Sequence, residues 1–304
     1  MTKTMKPDWI AVDWGTTHLR LWLMTADGQA LQRIDSNKGM AGLRPDHFEP
    51  VLIDALRDHL EPGVTLPVVI CGMAGSRQGW AEARYVSVPC KPPGIDQATH
   101  VPTLDARIDV HILPGIKQDK PADVMRGEET QIAGVMQIDP DFDGIVCLPG
   151  THCKWAHISA GEVVSFRTFL TGEMFALLSK QSVLRHSVAD DGWDGDAFTD
   201  ALDQAMSRPA AVAAELFSLR AEALLTDLDP VTARSRLSGH LIGIKLAAAK
   251  PYWLGQDVRI AGAEKIATAY ADALSAQAVP VTILDAETVT LAGLTAAYKT
   301  LQDA

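Results

Sequence analysis

A carboxylate, a glycine and two hydroxyls stand together at Asp13-Trp14-Gly15-Thr16-Thr17. The glycine lets backbone N–H groups come close to a phosphate, Thr16 and Thr17 add donors, and Asp13 stands where a metal ion would be held. The same residues also suit a plain β-turn, because Asp and Thr side chains bond readily to nearby backbone. The pattern returns once. Ile145–His152 aligns on Ile10–Thr17, with Gly150 and Thr151 lying 135 positions after Gly15 and Thr16. Leu148 replaces the aspartate in this echo, so only the first loop is equipped for the metal.

Two further stretches carry groups of interest. Glu128-Glu129 opens a helical stretch after a polar loop. Carboxylates favour a helix's first turn through its dipole, which explains their type but not their place at a domain edge. Arg77 lies in Gly75-Ser76-Arg77-Gln78-Gly79, where glycines permit a ligand to approach. Nine histidines show no HxxxH or HExxH spacing, so no zinc site is expected. Cys71, Cys90, Cys147 and Cys153 show no CxxC pairing and read as reduced, mostly buried thiols of a cytoplasmic protein.

The elements that must hold these groups follow from periodicity. Ile10–Val12 and the alternation of Leu19, Leu21 and Leu23 predict two strands around the first loop, and Ala30–Ile34 a third. Helical spacing covers Phe48–Leu60. Val64–Cys71 reads as a buried strand running into the Arg77 loop, and Val110–Leu113 as another. Ile116–Val124 is polar, contains Pro121, and is expected to be a surface loop. Gly127–Ile138 is a helix with Ile132, Val135 and Met136 inward, broken by Asp139–Gly144. The boundary between two domains, 1–143 and 144–304, is placed at that break. Further on, helices are expected over Glu173–Ser179 with Thr171 as N-cap, and over Phe198–Leu219 and Leu237–Lys250. A strand Val258–Gly262, a helix Ile266–Leu274, a strand Val281–Leu284 and a helix Val289–Tyr298 follow. Gly293 in that last helix could allow close helix packing.

Bulk properties narrow the classes. A chain of 304 residues is long for one core. Hydrophobic residues at 47% and charged residues at 21% are ordinary for a folded protein. A net charge of −11 without a dense basic run argues against nucleic-acid or anionic-membrane partners. No apolar run approaches the ~18 residues a membrane helix needs. The N-terminus shows no signal-peptide pattern.

The two Gly-Thr loops, a strand ending in Gly-Ala before a helix, and a glycine-bearing last helix resemble the actin-like ATPase superfamily. That implies an α/β protein of two ribonuclease H-like domains facing across a nucleotide cleft, with connecting helices starting near Glu128 and Val289. Within it, CGMAGSRQGW at Cys71–Trp80, MRGEETQIAGV at Met125–Val135, LPGTHCKW at Leu148–Trp155 and FRTFLTGEMFALL at Phe166–Leu178 resemble the 2-dehydro-3-deoxygalactonokinase family over nearly the whole chain. Neither a GxxxxGK[ST] P-loop nor a GxGxxG fingerprint is present.

The resemblance implies ATP and Mg²⁺, and a small-molecule 2-keto-3-deoxy sugar acid phosphorylated at its terminal hydroxyl. Asp13 would hold Mg²⁺. Gly15, Thr16, Thr17, Gly150 and Thr151 would bind the phosphates, with Lys154 reaching phosphate or substrate. Gly262 and Ala263 would lie against adenosine. The general base would be Glu129, or else Glu128, at a position where related sugar kinases usually carry aspartate. Arg77, with Gly75 and Ser76, would take the substrate carboxylate, backed by Arg20 and Arg167, and Glu173 would bind a sugar hydroxyl. Trp80 would either wall the sugar pocket or be buried. A kinase for another sugar acid or sugar, an exopolyphosphatase-like phosphohydrolase and a non-catalytic ATP-binding regulator are the alternatives. Assembly into a homo-oligomer is left open.

Overall fold

The structure, a computed structural model, describes residues 6–302, and side chains to residue 300. In chain order it contains β1 (Trp9–Trp14), β2 (Leu19–Met24), β3 (Ala30–Ser36), α1 (Phe48–Ala55), β4 (Leu66–Gly72), β5 (Tyr85–Ser87), β6 (Thr99–Val101), β7 (Ile108–Ile112), β8 (Gly115–Asp119), β9 (Ala122–Met125) and α2 (Glu128–Ile138). These are followed by β10 (Gly144–Leu148), β11 (Cys153–Ser159), β12 (Glu162–Phe169), α3 (Thr171–Gln181), α4 (Gly195–Ser207), α5 (Val212–Leu225), α6 (Pro230–Ala248) and α7 (Lys250–Trp253). The chain closes through β13 (Val258–Gly262), α8 (Glu264–Ser275), β14 (Val281–Asp285) and α9 (Ala286–Gln302).

Two compact units result. Of the described residues, 6–143, 158–165 and 285–302 form the first, and 144–157 and 166–284 the second. The C-terminal helix, which a single break after residue 143 leaves with the second half, thus packs with the first.

In the first unit a six-stranded sheet runs β3-β2-β1-β4-β7-β6. β1 pairs antiparallel with β2 and parallel with β4. Both faces of the sheet are covered, which is why β1 and β2 are apolar almost throughout. One face packs Ile10, Val12, Leu21, Val68 and Ile70 against Phe48, Leu52 and Leu56. The other packs Trp9, Ala11, Trp22 and Val69 with Leu294, Ala297 and Tyr298 of α9. α9 also crosses α2 very closely. A Cβ on Gly134 would collide with the Val289 carbonyl, and one on Gly293 with the Thr130 carbonyl. Gly293 therefore permits the close packing its place in the helix suggested.

A second, five-stranded sheet has the order β12-β11-β10-β13-β14, and β10 runs parallel to β13. The opening three strands of each sheet thus repeat one plan, an up-down meander followed by a parallel neighbour. Trp155, Phe198, Leu202, Ile242, Leu246 and Tyr270 belong to the core here.

Several expectations are corrected. Residues 116–124 are not a loop: β8 and β9 form a hairpin, in which Ile116 and Gln118 are buried and Pro121 sits at the turn, where no ladder donor is needed. The single helix over 198–219 is two, divided at Arg208-Pro209, because proline cannot supply the interior N–H. The helix from Phe48 ends at Ala55 and tightens into a 3₁₀ turn at Arg57–His59. Thr171 is the first helical residue of α3 rather than its cap; Leu170 holds that place without a side-chain bond. Met136 is half-buried rather than inward.

Candidate functional site

The first-unit residues gather at the C-terminal ends of β1 and β4. Asp13 is the next-to-last residue of β1, opposite Arg20 on β2 and Cys71 on β4. Arg20 Nη1 donates to Asp13 Oδ2 at 2.9 Å. Arg20 is therefore not simply a solvent-facing strand residue but the partner of Asp13. Burial lifts the Asp13 carboxyl above the usual range, while the Arg20 guanidinium pulls it back. Its other oxygen lies beside Gly72, whose φ of +90° suits glycine; a Cβ there would stand 3.4 Å from Asp13 Oδ1 and 2.7 Å from the Trp14 carbonyl.

The loop after β1 is braced from behind. Gly39, Met40 and Ala41 donate backbone N–H groups to the carbonyls of Thr17, Gly15 and Thr16. With the carbonyls occupied, the exposed Thr16 and Thr17 offer donors, which is what an anion-binding loop requires.

α2 begins beside this group. Gly127 has φ of +103°, and a Cβ on it would stand 3.2 Å from the Gly72 Cα. Glu129, only 1% exposed, accepts the Gly127 N–H on both carboxylate oxygens at 2.7 and 2.8 Å. Burial, then the neighbouring Glu128, pushes its pKa to about 7, despite the Gly127 bond and Arg126. A carboxylate poised near neutrality is suited to accept a proton. Glu128 is half-buried, and its Oε2 accepts the Arg126 N–H at 3.0 Å. Of the two, Glu129 has the environment of a base.

Beyond Gly72 the chain turns through Met73–Gly75. Gly75 and Ser76 are buried, and the Ser76 hydroxyl has no partner among the described residues. Arg77 stands out with its side chain 80% exposed, 3.4 Å from Glu82. Trp80, half-buried, packs on Phe48 and edge-on to Trp14 at the margin of the core. Arg126, which sequence reasoning passed over, stacks on Tyr85 and donates to the Ala83 carbonyl at 2.7 Å, while its Nε and Nη1 are buried without a hydrogen-bond partner among the described residues. An arginine two positions before the glutamate pair was the available signal.

In the second unit, Gly150, Thr151 and His152 form the exposed turn between β10 and β11. α3 starts against it: Glu173 N–H donates to the Thr151 carbonyl at 3.0 Å, and its carboxylate meets His152 Nε2 at 2.7 Å. A Cβ on Gly172 would collide with the Gly150 carbonyl, so only glycine allows this approach. Gly262 ends β13 against Pro149, and Ala263 is the N-cap of α8. Lys154 is 4% exposed, drawn into β11 rather than extended from the loop. Arg167 is exposed on β12.

A cavity of about 800 Å³ opens between Gly150, Gly172, Phe175, Trp193, Arg234 and the first turns of α8. Arg234 lies over the Phe175 ring at 4.9 Å. Residues from five separate segments contribute, which is why no local motif announced it. Behind the turn, the Lys245 ammonium is buried over Tyr270 at 3.3 Å and 4.0 Å from Cys153 Sγ. Burial lowers the lysine's pKa.

Two α/β units, each with a Gly-Thr turn after its first strand, have the fold that the actin-like ATPase resemblance implied, and comparisons with known proteins place the chain among sugar-acid kinases. A sequence profile described as 2-keto-3-deoxy-galactonokinase matches residues 13–297. The chain is 39% identical over 298 residues to a probable 2-dehydro-3-deoxygalactonokinase of Rhizobium meliloti (strain 1021), covering 96% of both. It is 33% identical over 294 residues to the 2-dehydro-3-deoxygalactonokinase of Escherichia coli (strain K12), covering 95% of this chain and 97% of that one. A Sinorhizobium meliloti crystal structure bearing the same kinase name superposes with a TM-score of 0.88 at 38% identity, covering 96% of both chains. Component A of the Acidaminococcus fermentans (R)-2-hydroxyglutaryl-CoA dehydratase shares the fold alone, with a TM-score of 0.52 at 14% identity. The chain belongs to the 2-keto-3-deoxy-galactonokinase family.

Proposed function

We propose that this enzyme transfers the γ-phosphoryl group of ATP to the terminal 6-hydroxyl of 2-dehydro-3-deoxy-D-galactonate. The observation that carries the mechanism is Glu129, buried at the start of α2 with its pKa pushed to about 7. In our reading Glu129 accepts the hydroxyl proton as the phosphoryl group moves, and Glu128 raises its basicity from the next position. The residues fit Mg²⁺: Asp13 offers the carboxylate such an ion takes, beside a glycine that keeps the space clear. When bound, Mg²⁺ neutralises phosphate charge. Arg20 orients the Asp13 carboxylate by its 2.9 Å bond.

We assign the sugar acid, the base and the metal ligand to the first unit, and adenosine to the second. Thr16 and Thr17, on a loop where Gly15 donates its own N–H to the His18 carbonyl, and separately Gly150 and Thr151, supply donors to the β- and γ-phosphates, with Lys154 held back as electrostatic support. The second-unit cavity has the size and the aromatic lining that suit a nucleoside, and Gly262 and Ala263 bring α8 to it. Arg77 takes the substrate carboxylate, exchanging its contact with Glu82; Gly75 and Ser76 shape that loop, and Arg20 of the same unit is a secondary contact. No described helix is long and apolar enough to cross a membrane, and four free thiols support a cytoplasmic setting.

The test is ADP release with a panel of sugar acids, with phosphorus NMR locating the new ester. Turnover of 2-dehydro-3-deoxy-D-galactonate to its 6-phosphate is expected. Turnover of no 2-keto-3-deoxy acid would overturn the assignment.

A further inference from the structure

The edge strand β6 pairs antiparallel with β7 so that His100 lies directly across from His111. Asp109 stands two residues before His111 on the same strand, and so on the same face of the sheet. Its carboxylate lies between the two imidazoles. His100 Nε2–H donates to Asp109 Oδ1 at 2.9 Å, and His111 Nε2–H donates to Oδ2 at 3.0 Å. The ring centroids are 5.3 Å apart. Burial works to raise the Asp109 pKa, but the bonds from His111 and His100 hold it below the usual carboxylate range.

We propose that His100, Asp109 and His111 form a binding site for a divalent transition-metal ion of the zinc type, separate from the magnesium ligand Asp13. One donor atom from each residue lies within 4.8 Å of the others. Metal–nitrogen bonds of about 2.0–2.1 Å require donors that converge to roughly 3 Å, and the carboxylate already sits at that spacing from each ring. Two imidazoles with one carboxylate suit zinc, cobalt(II) or nickel, whereas magnesium prefers oxygen donors. On metal binding each imidazole gives up the Nε2–H of its Asp109 bond, the proton moving to Nδ1, and the freed nitrogen lone pair takes the ion.

The side chains differ in freedom in a useful way. His111 is 15% exposed and anchored, Asp109 is 39% exposed, and His100 is 62% exposed and able to swing. An ion can therefore enter from solvent without any rearrangement of the core. Once held, it ties a three-residue edge strand to its only described neighbour in the sheet. Linear spacing concealed the set because the ligands meet by cross-strand pairing and not along a helix.

Cobalt(II) titration of the whole protein in excess magnesium, followed by the visible absorption of the bound ion, tests this. One cobalt per chain, displaced by zinc, is expected. H100A and H111A should each weaken binding by at least about tenfold, the lower end of what even supporting partners of a metal contribute. D13N should leave the cobalt signal intact. Zinc should raise the melting temperature of the wild type and not that of H100A, whose exposed position leaves the metal-free fold unchanged. Kinase kinetics in magnesium should be the same for H100A and wild type. Absence of stoichiometric cobalt binding, or binding unchanged in H100A and H111A, overturns the proposal.

Discussion

At the scale of single residues, one buried carboxylate governs both rate and stability. Glu129 gives up its proton only near pH 7, so kcat/KM should fall as pH drops through that value. E129Q should lose about 10² to 10⁴ in kcat, the usual contribution of a positioned base, whereas E128Q should cost far less. Stability moves the other way. A carboxyl with a raised native pKa binds its proton more tightly folded than unfolded. Its contribution is therefore present below the unfolded value of roughly 4.3 and is lost as pH rises to about 7. E129Q keeps an acceptor for the Gly127 N–H without the buried charge. It should gain on the order of 2 to 3 kcal/mol over wild type at pH 8, and little at pH 4. Melting curves at the two pH values decide this; a variant less stable at pH 8 would mean that Glu129 is not held as a strained anion.

At the scale of elements, the crossing of α2 and α9 fixes where Glu129 sits. Both helices present glycine to the other's backbone, so neither G134A nor G293A can relieve its clash by turning a side chain. Each should destabilise by about 1 to 3 kcal/mol, and G293A, whose clash is with the Thr130 carbonyl one residue past Glu129, should also lower kcat. Thermal melts paired with kinetics test this; loss of stability without loss of kcat would separate the crossing from the base. Gly293 was visible in the sequence as a permissive residue, and so were the two Gly-Thr turns, whose strand-turn-strand pattern is purely local. The β8–β9 hairpin was not visible, because its charged outward residues and Pro121 mimic a loop until the buried Ile116 and Gln118 are seen. The cavity near Trp193 and the cross-strand histidines were hidden for a different reason. Their members come together only through tertiary pairing. Arg20 was legible as a strand residue, but its bond to Asp13 depends on register, which one sequence does not display.

At the scale of the whole molecule, the first unit is discontinuous in the chain. Trp9 stacks on Tyr298 with ring centroids 4.3 Å apart, and Leu294 and Ala297 complete the same apolar layer. A fragment of residues 1–143 should consequently be unstable and bind a hydrophobic dye, and restoring 285–302 through a short linker should recover a cooperative melt. A stable, dye-silent fragment would show that the last helix is dispensable. The same arrangement bears on biosynthesis. As the chain leaves the ribosome, the sheet face carrying Trp9, Trp22 and Val69 must wait for residues 286–302 before it is covered. The longest exposure thus falls on a segment made well before its cover, where chaperone capture is most useful and where a stop before residue 286 leaves the nascent product most prone to aggregate.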